Sequence, residues 1–136
     1  MGNSMFRTLL ISTALTLSTA CQTTSLNTLE RFSAGELLKE YERAGSDVRS
    51  KYDGKEIIVT GYVTMTEAMP EGDKYEGLIS LQENEENGSP KVDCWFSRKE
   101  AAEFAKLKGN RHITVKGVFN GESGAALKFC KIVAVE

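Results

Sequence analysis

The stretch KEIIVTGYVTM (residues 55–65) alternates Ile57, Val59, Gly61, Val63 and Met65 with Glu56, Ile58, Thr60, Tyr62 and Thr64. A period of two over that length predicts a strand with one buried face. RHITVKGVF (111–119) repeats the pattern, with Ile113, Val115, Gly117 and Phe119 on the inward series. Both carry Val-x-Gly, at Val59–Gly61 and Val115–Gly117, with glycine among the core positions. Glycine inside a strand marks a bulge, a bend or a close backbone approach, the devices by which a small sheet curls into a barrel.

Three further strands are expected at 77–82, 91–96 and 126–135. Two helix starts flank them. FSAGELLKEYERAG (32–45) offers Ser33 as N-cap with Glu36 as its capping-box partner, Phe32 and Leu37 as a hydrophobic staple, and Gly45 as the C-terminal stop. Leu37, Leu38, Tyr41 and Ala44 give that helix one apolar face. FSRKEAAEFAKLKG (96–109) places Ser97 before Glu100, buries Ala101, Phe104, Ala105 and Leu107, and stops at Gly109. The order is helix, three strands, helix, two strands. Five strands with a helix between the third and fourth is the order of the OB-fold, a five-stranded Greek-key barrel, so the expected class is mainly β.

At this point the chain resembles the tRNA-anticodon-binding-like family of OB-fold bacterial lipoproteins. The likeness rests on SAGELLKEYERAGSDVRSKYDGKEIIVTGYV (33–63), with its Lys-Tyr-x-Gly-Lys turn at Lys51–Lys55 and Gly-x-Val at Gly61–Val63. It continues in Cys94 on the third strand, Val115–Gly117 on the fourth and Cys130 on the fifth. The resemblance implies an OB barrel and brings no enzymatic residues.

LSTACQ (17–22) gives the address. Arg7 is followed by the uncharged run TLLISTALTLSTA (8–20), then Cys21. A positive n-region, an apolar h-region and small residues before a cleavage point make a secretory signal, too short for a membrane span. Residues Leu17 to Cys21 resemble the lipobox of bacterial lipoproteins, in which the cysteine is diacylated and becomes the new N-terminus. Ser18 stands where the usual Leu would, with Leu17 displaced by one, and Gln22 favours sorting to the outer membrane. The expected organisation is a signal peptide over 1–20, a lipid-anchored tether over 21–32 and an OB domain over 33–136. The expected location is the bacterial envelope, in the outer membrane facing the periplasm.

The chain carries 17 basic and 19 acidic residues, net −2. Mild acidity opposes a nucleic-acid surface, which usually concentrates basic charge on one face. If Cys21 is acylated, Cys94 and Cys130 remain as a pair in an oxidising compartment, and a disulfide is expected. Free buried thiols are the alternative. With His112 the sole histidine and no CxxC, neither a zinc site nor thiol redox catalysis is expected. His112 begins a strand in the outward series and reads as a solvated edge residue. No nucleophile elbow, HExxH or phosphate loop is present. Glu83, Glu85 and Glu86 lack calcium-loop spacing and read as a solvated loop. No catalytic group, metal or cofactor is expected.

Trp95 alternates with Cys94 and Phe96 and should point outward on the third strand, where OB-folds present their ligand face. With Tyr75, Lys91 and Asp93 it forms the candidate binding surface. The alternative is that the N-terminal helix covers Trp95 through Tyr41 or Leu38. The loops EAMPEGDKY (67–75) and ENEENGSP (83–90) are acid-rich and favour a basic or neutral partner. The sequence thus points to a lipid-anchored, non-catalytic module contacting an envelope protein or glycan. Single-stranded nucleic-acid binding and a small periplasmic inhibitor or exclusion factor are the alternatives.

Overall fold

The expected strands wind into a closed sheet in the computed structural model, which describes residues 28–85, 90–107 and 111–136. In chain order the elements are β1 (Arg31–Ser33), α1 (Ala34–Tyr52), β2 (Glu56–Ala68), β3 (Tyr75–Gln82), β4 (Val92–Ser97), α2 (Ala101–Ala105), β5 (His112–Asn120) and β6 (Ala126–Val135). The sheet runs β1-β2-β3-β4-β6-β5, and β5 returns to β2 to close the barrel. β4 and β6 pair in parallel at Asp93–Ala126 and Cys94–Leu127, while the other barrel seams are antiparallel. Five long strands in this order make the expected OB-type barrel. The short β1 is an addition: Arg31 and Phe32 pair in parallel with Ile58 and Val59, so the sheet begins within the stretch assigned to the tether.

The inward series fill the barrel. Ile57, Val59 and Val63 of β2, Ile79 and Leu81 of β3, Val92, Cys94 and Phe96 of β4, and Ile113, Val115 and Phe119 of β5 are buried in one cluster with Leu127 and Cys130 of β6. Both Val-x-Gly glycines mark close approaches. A side chain at Gly61 would stand 2.9 Å from the Gln82 carbonyl and 3.1 Å from Ala34 of α1. One at Gly117 would stand 2.9 Å from Leu127 Cβ and 3.0 Å from Cys130 Sγ. β2 departs from strict alternation twice. Ile58, on the outward series, is fully buried, and a register shift between Val63 and Met65 leaves Met65 only partly buried.

The capping box forms as expected: Ser33 Oγ accepts from the Glu36 N–H and the Glu36 carboxylate accepts from the Ser33 N–H. The helix does not stop at Gly45. Ala44 leaves helical geometry (φ −152°, ψ 57°), and α1 resumes beyond this kink to Tyr52, burying Val48. Gly45 is thus tolerated in a kinked helix, with the second segment held by packing, which outweighs the local stop signal. Tyr41 donates to the Gly121 carbonyl at 2.6 Å, and the Gly121 N–H donates to Asp53 at 2.9 Å, fixing α1 to the β5–β6 loop. The second helix is shorter than the sequence suggests. A 3-10 turn over Arg98–Glu100 precedes α2, Ser97 makes no side-chain cap, and Ala105 is exposed while Phe104 and Leu107 are buried. Its expected stop at Gly109 lies outside the described residues, as do the signal peptide, Cys21, most of the tether, and Glu86.

Candidate binding face

Alternation also fails on β6, and here the failure builds the site. Phe129, Val133 and Val135 read as core residues in sequence. Instead Phe129 is 49% exposed and Val135 46%. Between the pairs Lys116–Lys131 and Val118–Lys128, β6 has one residue more than β5, so Phe129 and Cys130 together face Gly117. Phe129 takes φ 54°, the left-handed region a bulky residue seldom occupies. This bulge reverses the parity of the strand: Leu127 and Cys130 both point inward and Phe129 points out.

Outside the barrel Phe129 meets Tyr75, which in turn packs on Trp95; these are the two aromatic residues the sequence singled out. Tyr75 lies 5.3 Å from Trp95 and 6.1 Å from Phe129, centroid to centroid, in tilted contacts typical of aromatic pairs. Three strands, β3, β4 and β6, thereby contribute one ring each. Lys74 holds its ammonium 5.4 Å from the Tyr75 ring and 5.6 Å from the Phe129 ring, within cation–π range. The Tyr75 hydroxyl is buried within this group with no hydrogen-bond partner among the described residues. Tyr41, the proposed cover for Trp95, packs instead on Phe119, 6.5 Å away, and reaches Gly121. Asp93 shares the outer face and hydrogen-bonds Ser80 Oγ at 3.2 Å. Lys91 is exposed just before β4.

The loop carrying Lys74 is held from β4's end. Arg98 donates to the Asp73 carbonyl at 2.9 Å and to the Pro70 carbonyl, and pairs with Glu76 at 2.7 Å. The Tyr75 N–H donates to the Asp73 carboxylate at 3.0 Å. A guanidinium's fixed fork suits such multi-point anchoring, and it sets the start of β3 against the end of β4. Arg98 was missed in the sequence because its partners are backbone carbonyls 25 and 28 positions away. Phe129 was missed because its outward turn depends on the bulge.

The remaining polar residues take structural parts. His112 Nδ1 lies 2.7 Å from the Glu136 carboxylate and its ring packs edge-on to Tyr62 at 4.7 Å, so the sole histidine is part of a strand-end pair. Glu83, from the acid-rich loop, accepts the Gly35 N–H at 2.7 Å and serves the positive end of α1. Among the described residues no group of acids, histidines or cysteines could hold a metal ion, and no helix is long and apolar enough to cross a membrane. Cys94 and Cys130 are free thiols, both fully buried. Burial above all, with a hydrogen bond to Cys130 next, pushes the Cys94 thiol well above its ordinary range, so the two sulfurs are neighbours.

A closed five-stranded barrel with this strand order is an OB-type fold. The chain belongs to the tRNA_anti-like family, whose model matches residues 12–131. A crystal structure of a provisionally named nucleic acid-binding lipoprotein from Klebsiella pneumoniae subsp. pneumoniae superposes with a TM-score of 0.67 at 17% identity, covering 80% of this chain and 95% of that one. Two OBody chains bound to hen egg-white lysozyme superpose with TM-scores of 0.46 and 0.47 at 15% and 16% identity, covering 66% and 65% of this chain and 86% and 88% of theirs. Among curated proteins, none matches this sequence.

Proposed function

We propose that this protein is a non-catalytic binding module, anchored to the bacterial cell envelope by lipid on Cys21, which uses the Tyr75–Trp95–Phe129 face to contact an envelope protein or glycan. The observation that carries this reading is the grouping of three rings from three strands on the outside of the barrel, with Phe129 held half-exposed in a strained backbone conformation. Strain of that kind persists where the surrounding structure enforces it and clusters at binding surfaces. Rigid aromatic side chains give large contact area at little entropic cost, which is why they dominate recognition hot spots. The signal and lipobox pattern at 1–21 supports the address, and the lipoprotein neighbour agrees with it.

Single-stranded nucleic acid is the second reading, favoured by the same neighbour's name and by the ability of stacked aromatics to take any base. The net charge of −2, with Glu71 and Asp73 in the loop that carries Lys74, weighs against it.

Trp95 is the only tryptophan, so its emission reports this face directly. Titration with soluble peptidoglycan fragments, with a basic envelope-type peptide and with an oligothymidylate at low salt separates the readings. Saturable quenching by either of the first two supports the envelope function. Quenching by the oligonucleotide alone, weakening steeply with salt, replaces it with the second reading. A flat response to all three, combined with no crosslink to any envelope component from a photoreactive residue at position 95 in cells, refutes the aromatic face as a site.

A further inference from the structure

The bulge in β6 acts on both sides of the strand, and its inner side has chemistry that the outer face does not use. Cys130 turns into the core and its thiol donates to the Leu127 carbonyl at 3.5 Å. Leu127 is the residue that pairs with Cys94 across the parallel β4–β6 seam, so Cys130, bonded to the Leu127 carbonyl, comes within hydrogen-bonding reach of Cys94. Gly117 supplies the space, since a Cβ there would crowd Cys130 Sγ at 3.0 Å. Both thiols are fully buried in the apolar cluster.

We propose that Cys94 and Cys130 close an intramolecular disulfide while the barrel is forming, joining β4 to β6 under the bulge that presents Phe129. The need for an oxidising compartment rests on the envelope reading; the geometry does not. In the first step a cysteine thiolate attacks the disulfide of an oxidant, either a small disulfide such as oxidised glutathione or a protein dithiol oxidase in its disulfide form. This gives a mixed disulfide and one reduced thiol of the oxidant. The second cysteine's thiolate then attacks the protein sulfur of that mixed disulfide and displaces the oxidant's remaining sulfur. In total, two protein thiols lose two protons and two electrons, and the oxidant's disulfide becomes two thiols.

Burial dictates the timing. Desolvation disfavours the Cys94 thiolate in the finished barrel, and the thiolate is the reactive form. The exchange therefore takes place before the β4–β6 seam shuts, after which the same burial shields the bond from reductants. Once made, the bond fixes the inward half of the bulge, and Phe129 is the residue immediately before Cys130.

The test is refolding of the full reduced chain from urea in a glutathione redox buffer, followed by non-reducing peptide mapping. The expected product is a Cys94–Cys130 crosslink two hydrogens lighter than the dithiol, resistant to a mild reductant until urea is added. Free thiols at both positions, or pairing of either with Cys21, would overturn the proposal. Alkylation of the folded, reduced chain supplies a check that needs no variant: both cysteines should stay unmodified natively and react on unfolding. Rapid native alkylation contradicts the enclosed thiol pair. The mapping depends on no partner, so failure of the ligand titrations leaves this inference intact, and failure of the bond leaves the aromatic face in place.

Discussion

Replacing Phe129 with glycine separates what this residue does for the barrel from what it does for a ligand. A non-glycine residue at φ 54° costs about 1–2 kcal/mol, which glycine removes. Against that, a phenylalanine side chain contributes about 1.5–3 kcal/mol when fully buried; at 49% exposure about half of that is realised, roughly 0.8–1.5 kcal/mol. Glycine also costs about 0.5–1 kcal/mol through the entropy of the unfolded chain. These contributions nearly cancel, so Phe129→Gly should change stability by less than about 1 kcal/mol. Phe119→Ala, fully buried on the neighbouring strand, should cost about 3–5 kcal/mol. Urea unfolding followed by far-UV circular dichroism measures both. If Phe129 belongs to the binding face, the glycine variant should weaken whichever probe quenches Trp95 by about tenfold or more, a loss of about 1.4 kcal/mol. A destabilisation above about 2 kcal/mol would mean that Phe129 is a packing residue, and unchanged affinity would remove it from the site.

Gly77→Ala should destabilise by about 1–3 kcal/mol by overpacking, because the new methyl would collide with the Phe104 ring. In a Phe104→Leu background the same change should cost at least about 1 kcal/mol less; strict additivity in the double-mutant cycle would show that α2 does not pack there. The reduced protein should lose stability as pH rises. The folded state raises the Cys94 pKa, so above the unfolded thiol's value of about 8.5 the unfolded chain holds fewer protons than the folded one. The stability conferred by the neutral thiol is then whole below that pH and falls by up to about 1.4 kcal/mol per pH unit above it. Oxidised protein lacks this slope at Cys94, and chemical unfolding of both forms between pH 7 and 10 checks the difference.

Most of the barrel was legible because its strands alternate. In β2 and β5 the inward residues Ile57, Val59, Val63, Ile113, Val115 and Phe119 are all buried, with Ile58 the one outward residue that joins them. The capping box at Ser33 and Glu36 was equally local, and it formed. Features that depend on distant contacts were not legible. The continuation of α1 past Ala44 relies on Val48 packing into the barrel, and β1 pairs with a strand 27 positions further on, as Arg31 meets Ile58. The site divides in the same way. Alternation with Cys94 and Phe96 turned Trp95 outward, Tyr75 packs on it, and Asp93 shares its series on β4. Phe129 could not be found by periodicity because one bulge inserts a residue opposite Gly117 and a second inserts Val133, so the alternation is inverted between them. In strand 126–135, Leu127, Phe129, Val133 and Val135 share one alternating series and Cys130 falls on the other with Lys128 and Ile132, which conflicts with an inward Cys130 beside Cys94 and is the trace the first bulge leaves in the sequence.

The order of pairing also sets a schedule. β2, β3 and β4 form a meander of consecutive strands, and β5 and β6 form a hairpin, so each unit assembles from nearby residues. The seams that join the units do not: Glu56 must find Val118, and Cys94 must find Leu127. Contacts at such separations are slow to form, since the intervening chain must be closed into a loop first. During synthesis or delivery from the N-terminus, the meander therefore waits with Ile57, Val59 and Ile79 uncovered until the last strand arrives. A chain held up at that stage is the species most exposed to aggregation and to thiol exchange with Cys21. Acylation of Cys21 before β6 arrives would leave Cys94 a single partner.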